Sequence, residues 1–254
     1  MNNTRRHFFR GMALSGLAIL CNPSLAVTAS AEKKKKLKMA KGSVILFQGD
    51  SITDGNRGRD ADPNHIMGHG YQFTVASRWG AEYPEKELKF YNRGISGNKV
   101  IDLAARWQGD TLELKPTILS ILVGVNDSTS VIHDWKPVVP VEKYEEVYRQ
   151  LLDQTKAALP EVLLVLCEPF IVPVGNVKNN WDRYYADIAK RQSVVRKLVQ
   201  EYDAVFVPFQ EVFDNAIKKA PASYWIWDGV HPTVAGHELM AREWIKQVGK
   251  RIEL

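Results

Sequence analysis

Short apolar runs recur along the chain at Val44–Gln48, Leu88–Asn92, Thr117–Val123, Val162–Cys167 and Ala204–Val207. Runs this short, apolar at consecutive positions and rich in aliphatic and β-branched side chains, predict strands buried on both faces of a parallel sheet. Between them the period changes. From Val141 to Leu159 the apolar or aromatic positions are Val141, Tyr144, Val147, Tyr148, Leu151, Leu152 and Leu159. Their spacings of three and four make one stripe of a helix. Pro140 can open that helix and Pro160 closes it. Tyr185, Ile188, Val195, Leu198 and Tyr202 form a similar stripe. Thr233–Val248 predicts a C-terminal helix, and shorter helices are expected over Tyr71–Trp79 and Val100–Trp107. Strand and helix therefore alternate, which predicts one α/β domain: a three-layer sandwich around a five-stranded parallel sheet. In such sheets ligands bind beyond the carboxyl ends of the strands, so motifs just after a strand are the first place to look for chemistry.

The composition agrees with one core. The chain has 254 residues, 45% hydrophobic and 25% charged, which excludes disordered, collagen-like and disulfide-scaffold classes. The apolar run Gly11–Cys21 is shorter than the roughly 18 residues that a membrane-spanning helix needs, so no stable membrane span is expected. The net charge of +5 suggests nucleic acid only until it is located. Nine of the 34 basic residues precede Gly42, with one of the 29 acidic ones, leaving 25 basic against 28 acidic residues after it. A mildly acidic body offers no basic face, so no nucleic-acid partner is expected.

The basic excess belongs to an N-terminal segment with the layout of an export signal. Thr4–Arg10 is a basic stretch, Gly11–Cys21 an apolar one, and Ala29-Ser30-Ala31 a cleavage site. The expected organisation is an export signal over 1–31, a charged linker over 32–41 and the domain over 42–254. Arg5-Arg6 before aromatics resembles a twin-arginine signal, with the ordinary secretory route as the alternative. The destination is periplasmic or extracellular. Cys21 is a poor lipid-attachment site after Ala18-Ile19-Leu20. Cleavage leaves Cys167 alone, so no disulfide forms, and its apolar neighbours mark it as packing.

Four segments hold the candidate chemistry. The first strand runs into Gly49-Asp50-Ser51, which can present the Ser51 hydroxyl at the sheet edge. The second runs into Gly94-Ile95-Ser96-Gly97-Asn98, close to a Gly-x-Ser-x-Gly elbow, so Ser96 is a rival nucleophile. Its glycines also allow exposed backbone donors. The third runs into Gly124-Val125-Asn126-Asp127, where Asn126 offers a neutral amide. Late in the chain comes Asp228-Gly229-Val230-His231-Pro232. Asp228 can fix the His231 ring, and Pro232 places His231 at the start of the last helix. The carboxylate favours the imidazolium and a helix N-terminus disfavours it, an opposition that suits a general base. Together the set supplies nucleophile, base, orienting acid and oxyanion donors, the parts of acyl transfer.

These blocks, in this order, resemble the SGNH (GDSL) hydrolases, a family of serine esterases. The resemblance spans nearly all of the chain after residue 41. It implies a flavodoxin-like α/β/α sandwich. It also implies Ser51 as nucleophile and first oxyanion donor, Gly97 and Asn126 as the other donors, and Asp228 and His231 as the rest of the triad. No such role falls to Ser96. No cofactor or metal is implied. His65 and His69, with Asp60 and Asp62, lie in a loop without a regular element to fix them as ligands. His133 and His237 are expected at the surface. Trp225, Trp227 and Trp135 flank the blocks and can stack on sugar rings. The stretches Gly49–Gly55 and Gly94–Asn98 resemble both carbohydrate acetylesterases and platelet-activating-factor acetylhydrolase-like members. The expected function is an exported serine esterase cleaving acetyl esters on a small-molecule or polysaccharide substrate. A lysophospholipase or thioesterase and an inactive glycan-binding scaffold are the alternatives.

Overall fold

Residues 36–60 and 62–254 are described by a computed structural model. The expected export signal, 1–31, and the first part of the linker lie outside them. The rest of that linker is not a solvated tail. Leu37–Lys38 forms strand β1, paired in parallel with β7 (Ile252–Glu253) at the far end of the chain, and Met39 is fully buried. Two apolar side chains among the lysines, Leu37 and Met39, draw this segment onto the domain.

The five apolar runs become β2 (Val44–Gly49), β3 (Lys89–Asn92), β4 (Ile118–Leu122), β5 (Leu163–Cys167) and β6 (Val205–Val207), all parallel, in the order β3-β2-β4-β5-β6. Alternate residues face opposite layers. Ile45 and Phe47 pack with α2 (Tyr71–Glu82), α8 (Phe209–Ala216) and α10 (Val234–Gly249), where Trp79 and Trp244 fill the layer. Leu46, Leu119 and Leu164 pack with α3 (Val100–Trp107), α5 (Val141–Ala158) and α7 (Trp181–Glu201). The short helices are α1 (Ser51–Asp54), α4 (Val125–His133), α6 (Gly175–Lys178) and α9 (Ala222–Trp225).

The strand order reverses direction between β2 and β4, which makes a crevice at their carboxyl ends. Ser51 follows β2, and Asn126 lies in the first turn of α4, just past β4. Cys167 is buried, and burial pushes its thiol up to about 12, which fits packing. Two sequence expectations shift. In α7 it is Tyr184 that is buried, one turn before Ile188, while Tyr185 faces out. The last helix starts at Val234, capped by the Thr233 hydroxyl, so Pro232 and His231 precede it. Among the described residues no helix is long and apolar enough to cross a membrane.

Candidate active site

β2 ends at Gly49, where a side chain has no room: a Cβ would lie 2.3 Å from the Leu122 carbonyl oxygen. The chain then turns straight into α1. Asp50 caps that helix, its Oδ1 accepting from the Ile52 amide at 3.0 Å. Ser51 is the first helical residue and is half-buried at the crevice. Its Oγ lies 2.7 Å from His231 Nε2. His231 Nδ1 lies 2.7 Å from Asp228 Oδ2. The other Asp228 oxygen accepts from the Val230 and His231 amides at 2.9 and 2.7 Å.

These contacts set the charges. Burial opposes ionisation of Asp228, but the hydrogen bonds from the His231 ring and from the two amides outweigh it and hold the carboxyl below its ordinary range. The bond to Asp228 raises His231 above 6.5, against its burial. The last helix begins at Val234, three residues after His231. Nδ1–H donates to Asp228, which leaves Nε2 free to accept a proton from Ser51.

Across the crevice, Gly97 has a φ of +83°, is exposed, and borders open space. Asn126 Nδ2 donates to the Asn98 carbonyl at 3.1 Å, joining the turn after β3 to the start of α4. Among the described residues the other hydrogen of that amide has no partner. Asp127, buried, accepts from the Val100 amide at 3.1 Å and ties α4 to α3. Burial pushes Asp50 up to about 7 and Asp127 up to about 6.

A polar scaffold that sequence reasoning missed supports this side. Asn92 Nδ2 donates to the carbonyls of Thr53, Asp54 and Met67 at 2.8, 3.1 and 2.9 Å, and its Oδ1 accepts from the Gly94 amide at 2.9 Å. Asp54 Oδ2 accepts from the Ser96 amide at 3.0 Å and hydroxyl at 3.1 Å. Ser96, the rival hydroxyl, is thus bonded to a carboxylate and not to a histidine. Arg106 donates to Asn98 Oδ1 at 2.9 Å, the Arg93 carbonyl at 2.8 Å and Gln48 Oε1 at 2.9 Å. In the sequence these residues look like ordinary turn and surface polars. Their one signal is that Asn92, Asp54 and Asp127 fall within or beside the blocks.

The tryptophans separate. Trp227 is 63% exposed and stacks on the His231 ring, with centroids 6.3 Å apart. Trp225 is half-buried and packs on the core and on Tyr224. Trp135 is exposed beside His133, past the far end of α4 from Asn126. His237 is not a surface residue without a partner: its Nδ1 accepts from the Tyr71 amide at 3.1 Å, and burial pushes it down to about 4. His65 pairs with Asp62 at 2.6 Å. Among the described residues no group of three His, Cys, Asp or Glu is placed to hold a metal ion.

Residues 47–239 match the model of the GDSL-like lipase/acylhydrolase family. The chain is 33% identical over 224 residues to an acetylxylan esterase of Geobacillus stearothermophilus, a match covering 84% of this chain and 97% of that protein. The crystal structure of that esterase superposes with a TM-score of 0.74 over 84% of this chain and 97% of that one, at 33% identity. A solved structure from Parabacteroides merdae, described as a GDSL-like lipase, has a TM-score of 0.80 and 43% identity over 85% of this chain and 99% of its own. A lipoprotein of Bacillus subtilis is 26% identical over 179 residues, covering 64% of this chain and 72% of that protein. The chain belongs to the GDSL-like lipase/acylhydrolase family and is a carboxylic ester hydrolase.

Proposed function

We propose that the chain removes acetyl groups from carbohydrates through a covalent acyl-enzyme on Ser51. The observation that carries this reading is the unbroken line of hydrogen bonds from Ser51 through His231 to Asp228. His231 Nε2 takes the Ser51 proton as Oγ attacks the ester carbonyl. The oxyanion is held by the amides of Ser51 and Gly97 and the side chain of Asn126. The tetrahedral intermediate expels the sugar hydroxyl, which receives its proton from His231. Water, deprotonated by the same ring, then releases acetate and restores Ser51. The acetylxylan esterase relative supports the carbohydrate substrate, and the exposed Trp227 ring stacked on His231 supports stacking of a sugar ring there.

Residues 1–31 act in this reading as an export signal, supported by Arg5-Arg6 and Ala29-Ser30-Ala31. The N-terminal residue of protein recovered outside the cytoplasm tests it, with a start near Glu32 expected. For the chemistry, p-nitrophenyl acetate and octanoate are compared in wild type and Ser51→Ala, followed by acetylated xylan. Faster acetate cleavage, acetate release from the polymer and an inert Ser51→Ala support the reading. Faster octanoate cleavage transfers it to lipid or thioester substrates. An active Ser51→Ala removes the nucleophile, and an inactive wild type returns the scaffold to glycan binding.

A further inference from the structure

A cavity of about 510 Å³ opens at the free edge of β3, on the oxyanion side of the crevice. Arg57, Arg59 and Arg93 line it, with Phe90, Tyr91 and Ile66 as its apolar wall. Three arginines gathered in a body with more acids than bases need a counter-charge, and the acids nearby are engaged. Both oxygens of Asp54 are gripped by Arg59, at 3.0 and 2.7 Å. Asp110 Oδ2 pairs with Arg106 at 3.0 Å, while its Oδ1 lies 3.8 Å from Arg93 Nε, too far for a hydrogen bond. Arg93 Nε is buried with no hydrogen-bond partner. Arg57 donates from Nε to the Gly94 carbonyl, a neutral acceptor, at 3.0 Å. Burial and the like charges of Arg59 and Arg93 pull Arg57 down to about 10, against the attraction of Asp54. Asp60 on the wall supplies one negative charge, and its Oδ1 accepts from the Asp62 amide.

The cavity is joined to the reaction centre by short links. Arg57 holds Gly94, and Asp54, gripped by Arg59, holds Ser96, the neighbour of Gly97. Through these links the cavity adjoins the turn that carries Gly97. The lining pairs flat apolar surface, suited to a pyranose ring, with guanidinium groups that match a planar carboxylate. We propose that this cavity is a subsite for a uronic acid residue, so that the enzyme favours acetylated polysaccharides bearing a carboxylate sugar next to the acetylated one. The subsite rests on the carbohydrate reading above.

The test compares kcat/KM for acetate release from a neutral acetylated xylo-oligosaccharide and from the same oligosaccharide carrying glucuronic acid beside the acetylated residue. The acidic substrate is expected to be faster on the order of tenfold, the value of one charge-assisted hydrogen bond. The preference shrinks as salt is raised, and it vanishes when the uronate is methyl-esterified. Arg93→Glu and Arg57→Gln remove it, and Arg93→Lys keeps part of it. The ratio of the two rates is the readout, so a variant that disturbs the oxyanion turn and slows both substrates still reports. Equal rates in wild type, or a preference that survives methyl-esterification or Arg93→Glu, overturn the subsite alone. No release from either oligosaccharide, with p-nitrophenyl acetate still cleaved, overturns the carbohydrate reading and the subsite with it.

Discussion

The two halves of the site are held by different materials. The acid–base half, Asp228 to His231, leans on the loop after β5, where Phe170, Ile171, Val172 and Val177 are buried. Backbone bonds tie them, Val172 N to the Gly229 carbonyl and Asn176 N to the Asp228 carbonyl, both at 3.0 Å. Gly175 and Gly229 let the chains touch: a Cβ on Gly175 would lie 2.4 Å from Asp228 Cα. The half proposed to hold the oxyanion is held instead by side-chain polar groups, Asn92, Asp54, Arg106 and Asp127. Apolar contact is indifferent to pH and is disturbed by volume. A hydrogen-bonded scaffold is disturbed by loss of charge or of one partner. The same crevice should therefore fail in two distinguishable ways.

The largest expected effect is on the proton path. Asp228→Asn leaves the shape intact but removes the acceptor that orients His231, and should cost on the order of 10⁴-fold in kcat. On the other half, Asn126→Ala removes one oxyanion donor and should cost about a hundredfold or more in kcat. A loss below about threefold would take Asn126 out of that role. Next comes the contrast itself. Gly175→Ala should displace Asp228 and lower kcat by roughly ten- to a hundredfold at every pH, as expected of a misplacement near 1 Å. Asp54→Asn should slow the enzyme through the Gly97 turn instead. If both variants give the same pH and salt profiles, the two halves are not built differently.

The smaller effects are pH profiles. His231 is raised above 6.5, so kcat/KM should fall as pH drops through that raised value, because the imidazolium cannot accept the Ser51 proton. Asp50 adds to that rise. Asp50→Asn keeps the cap on Ile52 and should move the acid limb toward lower pH. For stability the sign is opposite to that of a salt-bridged acid. Asp50 and Asp127 lie at about 7 and about 6 when folded and at 3.8 when unfolded. The folded state therefore holds protons that the unfolded chain has lost, and their contribution declines as pH rises from 3.8 to about 7. Denaturation of Asp127→Asn at about pH 5 and about pH 8 should show a flatter decline than wild type.

β2, β4 and β5 were legible because strands buried on both faces are apolar at nearly every position, whereas β3, at the sheet edge, is only partly buried. The candidate catalytic groups were legible because each sits within a few residues of a strand end or, for Asp228 and His231, within three of one another. α4 was not. Its sequence, from Val125 to His133, is rich in Ser, Thr, Asn and Asp, which compete with the helix for hydrogen bonds. Packing on α7 makes it helical: the fully buried Arg191 donates to Ser128 Oγ at 3.0 Å, Asp187 Oδ1 at 2.7 Å and the Val139 carbonyl at 2.9 Å. Nothing in the sequence says that an arginine there points inward. The oxyanion scaffold was hidden for a related reason. Asp54 and Ser96 are 42 positions apart, and a polar side chain near a turn does not name its distant partner.

The pairing of β1 with β7 brings Leu37 beside Ile252. Leu37 borders Pro116 and Val162, at the entry ends of β4 and β5, whereas Ser51 stands past the exit end of β2. Both ends of the described chain thus leave from the back of the molecule. A polymer approaching the crevice therefore meets the face opposite these two ends. Because the two ends are neighbours, a short bridge between them should also permit the chain to be reopened elsewhere as a circular permutant.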